Sequence, residues 1–191
     1  MITDRTQLNE CLAYERSRYG FKNVIQYWIH LFMHMEYAQI WQFQKRLRIT
    51  EFYKNCNHKI RFLVSLRKLN KLRHKYNYEI PLNVFDKGLK IMHIGPILIN
   101  ANAHVGQNCS IHINTGIVAH GVTSVSPTIG DNVVIGFGAC IIGGCHIANG
   151  IAIGANALVN KSFEEQNIAI AGVPAKKISN NGTHSWNSKK E

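Results

Sequence analysis

Aliphatic residues recur at every sixth position through the second half of the chain, and Thr123 is the one break in the series. The series consists of Ile99, Val105, Ile111, Ile117, Ile129, Ile135, Ile141, Ile147, Ile153 and Val159. Neither the 3.6-residue period of a helix nor the alternation of a strand sustains a period of six. The pattern predicts a parallel β-solenoid in which three six-residue turns close a coil of about 18 residues.

The residues between the aliphatic positions support this prediction. Small side chains such as Cys109 and Cys145 stand two positions earlier, and Gly136 follows Ile135 at an expected tight corner. The phase holds across residues 119–127, which therefore either continue the coil or form a loop replacing whole six-residue turns. The apolar stretch 133–145 keeps the sixfold phase and contains glycines, which favours a solenoid wall over a membrane span.

Charge divides the chain where the periodicity begins. Residues 1–78 contain fifteen Lys and Arg against five Asp and Glu, a net charge of +10, whereas residues 79–191 carry +1. Residues 1–75 are rich in helix formers, so we predict an α-helical domain of two or three helices, then the solenoid over residues 76–178 and a flexible tail over residues 179–191. No N-terminal segment resembles a secretory signal, and we expect a cytoplasmic protein.

The basic helical segment has three interpretations. It is a solvated helix face, a contact with the inner membrane surface, or a nucleic-acid site. The membrane contact would use apolar anchors, namely Trp28, Phe32, Trp41 and Phe43. No nucleic-acid-binding motif accompanies the charge, so nucleic acid is not an expected partner.

Three segments of the solenoid region carry a family resemblance: residues 87–95, 129–136 and 172–176. Over residues 76–178 the chain resembles the serine acetyltransferase-like branch of the hexapeptide-repeat acyltransferases, closest to O-acetyltransferases of capsular and other surface polysaccharides. The resemblance implies a mainly β fold, a left-handed parallel β-helix preceded by a small helical domain. It also implies a homotrimer with acetyl-CoA in the groove between neighbouring solenoids.

The same resemblance assigns candidate site residues. His93 matches the catalytic base, and Glu79 matches the carboxylate that orients it. His93 also falls on the sixfold series, where an aliphatic residue is expected. The candidate acetyl-CoA contacts follow instead from shape. A groove walled by Gly136, Gly138, Ala139, Gly154 and Ala155 would expose backbone N–H and C=O groups to the thin pantetheine chain, and the nearest cations for the phosphates are Lys161, Lys176 and Lys177. Candidate acceptor contacts are His112, Asn114, His120, Ser124 and Ser126. The histidines lack a metal-ligand spacing, so we expect no metal.

The chain departs from serine acetyltransferases at three positions. Serine acetyltransferases have an acidic residue before the catalytic histidine, and this chain has Met92 there. They also have an Arg-His pair on the following loop, where this chain has Val125 and Ser126. A zwitterionic acceptor needs opposite charges in its pocket, so serine is expected to bind poorly. The sequence therefore predicts acetyl transfer from acetyl-CoA to a sugar hydroxyl of a surface polysaccharide or its precursor. The alternatives are serine O-acetylation in cysteine biosynthesis and a catalytically silent solenoid scaffold.

Overall fold

The computed structural model of this protein describes residues 1–122 and 124–183. Thr123, the break in the sixfold series, and residues 184–191 of the predicted tail lie outside the described residues. The chain separates into two compact units, Met1–Tyr78 and Glu79–Glu191. Each unit has its own core.

Residues 1–78, all of them described, form four helices where two or three were predicted. These are α1 (Arg5–Ser17), α2 (Val24–Phe32), α3 (Glu36–Asn55) and α4 (Lys59–Tyr76). Asp4 and Asn23 cap the first two helices, because each side chain accepts a hydrogen bond from an exposed first-turn amide. Helix α4 ends at Asn77, whose φ of 58° is the left-handed conformation that stops a helix. The caps at Asp4 and Asn23 thus begin two separate helices ahead of the longer α3 and α4.

The second unit is built from short strands, almost all of them parallel. In chain order the described strands are β1 (Tyr78–Glu79), β2 (Lys90–Ile91), β3 (Ile97–Ile99), β4 (His104–Val105), β5 (Ser110–Ile111), β6 (Thr115–Val118), β7 (Thr128–Ile129), β8 (Val134–Ile135), β9 (Cys140–Ile142), β10 (His146–Ile147), β11 (Ala152–Ile153), β12 (Leu158–Val159), β13 (Ala169–Ala171) and β14 (Lys176–Ser179). The antiparallel pair β13–β14 closes the last coil.

The strands form three sheets, which are the three faces of a solenoid. Sheet A has the order β1-β3-β6-β9-β12, sheet B has β4-β7-β10, and sheet C has β2-β5-β8-β11-β13-β14. From β2 to β12, consecutive strands lie in sheets C, A and B in turn, so the chain winds around a three-sided coil. The predicted solenoid is confirmed. The expectation of a mainly β chain was too narrow, since the helices contain more residues than the strands.

The strand register confirms the 18-residue coil and locates its exceptions. Ile129 pairs with Ile147, and Ile135 with Ile153, each eighteen residues later. Val105 instead pairs with Ile129, twenty-four residues later. The six additional residues belong to the segment 119–127, whose described residues form no strand. Of the two alternatives for this segment, the structure has the loop that replaces one six-residue turn.

The residues of the sixfold series fill the solenoid core. Ile111, Ile117, Ile135, Ile141 and Ile147 are completely buried. Residues 133–145 run from sheet C to the end of sheet A as part of the coil wall. Among the described residues, no helix has the length and apolar character needed to cross a membrane.

Replacing Gly136 with alanine is expected to destabilise the solenoid. A Cβ atom at Gly136 would lie 2.7 Å from the Ile153 carbonyl oxygen and 2.8 Å from the Ala155 nitrogen, both of them backbone atoms of the next coil. Forcing the coils apart should lower the free energy of unfolding by about 1–3 kcal/mol, measured by urea denaturation. Gly121→Ala is the matched control, since its Cβ would meet no atom within 4 Å. Equal stability of the two variants would contradict the close stacking at Gly136.

Candidate active site

The corner where the chain passes from sheet C to sheet A repeats in every coil, and we call it the C–A edge. Backbone bonds stack this edge: His112 N donates to Ile135 O at 3.0 Å and Gly136 N to Ile153 O at 2.8 Å. Most of the predicted site residues lie on it in successive coils, namely His93, His112, Asn114, Gly136, Gly138, Gly154 and Ala155. The register thus brings onto one edge residues as far apart in the sequence as His93 and Ala155.

His93 lies on an exposed corner of the C–A edge. The sixfold series had placed it at an inward, aliphatic position. Ile91 pairs with Ile111 and Ile99 pairs with Ile117. Eight residues therefore separate Ile91 from Ile99, where the next coil has six. Ile91 takes the buried position, and the two additional corner residues place His93 outside. An exposed imidazole at a corner is accessible to a substrate, which a core histidine would not be.

The ring of His112 lies beside that of His93. The ring centroids are 6.0 Å apart and the planes are inclined by 45°. His112 is half-buried, and its carbonyl accepts a hydrogen bond from the Thr115 hydroxyl at 2.9 Å. Desolvation by burial, and secondly the charge of His93, lower the pKa of His112 from its ordinary value of 6.5. The edge therefore presents two adjacent imidazoles in different environments.

A direct test of this coupling is the NMR titration of the histidine rings. His112 should titrate below pH 6.5, and in a His93→Gln variant its pKa should rise towards 6.5, because one of the two lowering causes is gone. The folded-state pKa lies below the unfolded one, so this group stabilises the fold above about pH 6.5, and that contribution is lost as the pH falls through the folded-state pKa. A His112 pKa unchanged in His93→Gln would show that the rings do not interact.

Glu79 is exposed and ends β1, the strand next to β3 in sheet A. His93 precedes β3 by four residues, so the carboxylate and the imidazole lie at the same end of the solenoid. The corner that carries His93 rests on the following coil, since Asn114 N donates to the Pro96 carbonyl at 2.6 Å. Asn114 itself has a φ of 60° and is exposed at this edge.

The glycines of the C–A edge allow close backbone stacking, but their amides are already used. Gly136, Gly138 and Gly154 each donate their N–H to a carbonyl of a neighbouring coil. Ala139 is fully buried, so its side chain belongs to the core and cannot wall a groove. The expectation that the N–H groups of these glycines face acetyl-CoA is therefore corrected. These residues leave a narrow backbone surface, and only Ala155 has an exposed side chain among the predicted alanines.

Phe137 is a site candidate that the sequence analysis missed. It stands between Gly136 and Gly138 with 45% of its surface exposed, and Val173 is exposed at the corner of a later coil. Together with Ala155 they form an apolar line on the C–A edge. The signal was present in the sequence as the one aromatic residue in the stretch 129–160.

The three predicted phosphate-binding lysines are placed differently. Lys176 is exposed and pairs in register with Ala171, on the coil after Gly154, so it lies at the C–A edge. Lys177 forms an ion pair with Glu165. Lys161 lies past sheet A, at the corner between sheets A and B, with its ammonium 5.4 Å from the Phe163 ring centroid. Within one chain, Lys161 is therefore separated from the other two.

The corner between sheets A and B, the A–B edge, also carries the remaining acceptor candidates. A groove of about 480 Å³ there is lined by His120, Asn160, Lys161 and Ser162 among others. Ser126 donates its hydroxyl to Asn100 Oδ1 at 3.0 Å, and Ser124 precedes it on the exposed loop. His120, Ser124 and Ser126 thus belong to a different edge from His93 and His112.

The two histidines on sheet B, His104 and His146, have acidic neighbours. His104 Nε2 lies 3.7 Å from Asp86, and His146 Nδ1 lies 2.7 Å from Glu164. Across the part of the chain that the structure describes, no three His, Cys, Asp or Glu side chains group as a metal site would require.

The three-sided solenoid of six-residue turns, with histidines on one edge, is the architecture of the hexapeptide-repeat acetyltransferases. No protein-family model matches the chain. A serine acetyltransferase of Helicobacter pylori is 32% identical over 132 residues, which cover 63% of this chain and 72% of that protein. The chain belongs to the serine acetyltransferase family.

Two further relatives match over shorter stretches. The serine acetyltransferase of Mycobacterium tuberculosis is 33% identical over 90 residues, covering 46% of this chain and 39% of the relative. Serine acetyltransferase 3, mitochondrial, of Arabidopsis thaliana is 35% identical over 91 residues, covering 47% of this chain and 23% of the relative. The chain thus spans well under half the length of these two proteins.

Solved structures of serine acetyltransferases share the fold. The Brucella abortus protein superposes with a TM-score of 0.73 at 18% identity, covering 93% of this chain and 71% of that one. The complex of that protein with coenzyme A superposes with a TM-score of 0.68 at 21% identity, covering 92% of this chain and 67% of that one. The soybean protein complexed with serine superposes with a TM-score of 0.70 at 18% identity, covering 91% of this chain and 70% of that one.

These findings correct the predicted function. The relatives are serine acetyltransferases, so the prediction of a polysaccharide O-acetyltransferase is wrong, and the stated alternative is the better supported one. The wrong prediction rested only on the missing charges at Met92, Val125 and Ser126. Val125 and Ser126 lie in the loop 119–127, whereas Met92 and His93 lie on the C–A edge. Three uncharged positions therefore do not establish that the acceptor site as a whole lacks charged side chains.

Proposed function

We propose that this protein transfers the acetyl group of acetyl-CoA to the side-chain hydroxyl of L-serine. The observation that carries the proposal is membership of the serine acetyltransferase family together with an accessible histidine on the C–A edge. The serine oxygen attacks the thioester carbonyl, the C–S bond breaks, and the products are O-acetylserine and coenzyme A. The proton lost by the hydroxyl is finally held by the coenzyme A thiol.

In this mechanism His93 is the general base. A serine hydroxyl is a weak nucleophile at neutral pH, and a neutral imidazole within hydrogen-bond reach accepts its proton as the new C–O bond forms. The same imidazolium then returns the proton to the departing thiolate. Glu79 orients His93 and stabilises its charged form, as a carboxylate does in related triads. The neighbouring His112, whose pKa is lowered, stays neutral at pH 7 and contacts the acceptor.

Acetyl-CoA lies along the C–A edge in this proposal. Pantetheine is thin and partly apolar, which suits the narrow glycine corner and the exposed line of Phe137, Ala155 and Val173. Lys176 is the phosphate contact at the end of this line. Lys177 contributes less because Glu165 already pairs with it.

We propose that the protein forms a homotrimer of left-handed solenoids, in which candidate site residues that lie apart in one chain come together between two subunits. His120, Ser124, Ser126 and Lys161 lie on the A–B edge, away from His93. We propose that the A–B edge of one subunit faces the C–A edge of the next, so that these polar groups complete the acceptor site. Sedimentation equilibrium measures this assembly directly, and a monomer with full activity would refute it.

The proposed reaction is tested by following thiol release from acetyl-CoA with L-serine. L-Alanine is the matched control, since it keeps both charges and lacks only the nucleophilic hydroxyl. We expect release with L-serine and none with L-alanine, and mass spectrometry should identify O-acetylserine. Thiol release that is independent of L-serine, or no release at all, would overturn the proposal.

A further inference from the structure

Helix α2 exposes an apolar stripe that the proposed function does not use. Ile25, Trp28, Ile29 and Phe32 follow the spacing i, i+3, i+4, i+7 and therefore lie on one helix face. All four are exposed, Phe32 at 82% and Ile25 at 72% of their surface. On another face of the same helix Tyr27 is buried, and it forms a core cluster with Ala38 and Trp41. One face thus fastens α2 to its unit, and a second apolar face is open.

Cations lie on the side of this stripe where Trp28 stands. Two grooves of about 250 and 330 Å³ share Tyr27, Trp28 and Lys45 in their walls. Their charged lining residues are Arg16, Lys45, Arg46, Lys68 and Lys71, and neither groove has a carboxylate among its lining residues. An exposed indole therefore lies between two positively charged depressions.

We propose that this surface, the α2 stripe with its five flanking cations, docks on an anionic lipid bilayer. An amphipathic helix with Trp and Phe on one side and Lys and Arg beside it lies in the plane of the membrane interface, with its apolar face among the acyl chains. The cations then meet the lipid phosphates. With nine residues, α2 is far too short to span the bilayer and lies on its surface.

Charge complementarity favours lipid over a second copy of the chain. Residues 1–78 carry +10, so two copies meeting through this stripe would bring the same five cations against each other. An anionic bilayer offers both the apolar layer and the negative charge. The structure also revises the anchors predicted from sequence: Trp41 and Phe43 are buried, whereas Ile25 and Ile29 join Trp28 and Phe32 on the surface. This inference does not depend on the acceptor of the acetyl group.

The test is co-sedimentation of the full chain with vesicles of phosphatidylcholine alone or mixed equally with phosphatidylglycerol. We expect binding only to the mixed vesicles, strong at low salt and weaker at physiological salt because ions screen the attraction. Ile25→Ser/Phe32→Ser should reduce partitioning about tenfold or more. Lys68→Gln/Lys71→Gln should reduce it roughly tenfold at low salt.

Ile60→Ser/Leu63→Ser is the matched control, because both residues are similarly exposed apolar residues that lie on α4 and not on the α2 stripe. It should bind vesicles like the natural chain, and circular dichroism confirms that each variant is folded. Three results would overturn the proposal: no binding of the natural chain at low salt, an equal loss in the α4 control, or a smaller particle mass for the α2 variant without lipid. The last would show that a second copy covers the stripe.

Discussion

Replacing His93 with alanine is expected to lower kcat about 10²–10⁴-fold, the range for loss of a general base. His93 is exposed on a corner, so its removal leaves the core intact and the solenoid folded. Without the imidazole the serine hydroxyl must lose its proton to water during attack. The measurement is thiol release under saturating acetyl-CoA and L-serine, with thermal unfolding to confirm the fold.

His104→Ala is the matched control for this variant. His104 is likewise an exposed histidine, but it lies on sheet B, the face opposite the C–A edge, beside Asp86. Its loss should leave kcat within about twofold, since its imidazole lies beside Asp86 and it is not among the proposed acceptor contacts. A folded His93→Ala variant with near-normal kcat would remove His93 from the mechanism.

Replacing Arg48 with methionine is expected to destabilise the helical unit by about 3–5 kcal/mol. Arg48 lies 2.7 Å from Glu15 and 2.9 Å from Glu51, and all three side chains are buried. Burial alone would lower the pKa of Arg48, but the two carboxylates outweigh it and hold that pKa above its usual value. Methionine fills a similar volume and leaves two carboxylates buried without their cation.

Urea denaturation followed by helical circular dichroism measures this loss. Lys54→Met, an exposed substitution near the end of α3, should change stability by less than about 0.5 kcal/mol. The triple variant Glu15→Leu/Arg48→Met/Glu51→Leu should recover much of the loss, because it removes the uncompensated charges as well. If Arg48→Met is as stable as the control, the buried network does not hold the unit together.

The core of the solenoid was predictable because its rule is local. Each inward position lies six residues from the next, so Ile111, Ile117 and Ile135 are recognisable without knowledge of any distant contact. The rule failed at His93, where two additional corner residues shift the phase. Counting six residues back from Ile99 leads to His93, and the count itself cannot reveal that two residues are inserted between Ile91 and Ile99.

The acceptor was mispredicted for a related reason. Three uncharged positions, among them Met92 and Val125, were taken to describe the whole acceptor site, although the coil places these two residues at different corners of one chain. The comparison with a 32% identical relative corrected the function.

By itself, then, the sequence determined the three-sided coil, its inward residues and the concentration of positive charge in residues 1–78, since each follows from neighbours in the chain or from simple counting. The tertiary structure alone decided which side chains meet. It brought His93 beside His112, separated Lys161 from Lys176, paired Arg48 with Glu15 across 33 residues, and left one face of α2 open. Such contacts depend on register and packing between distant segments, which no local pattern specifies.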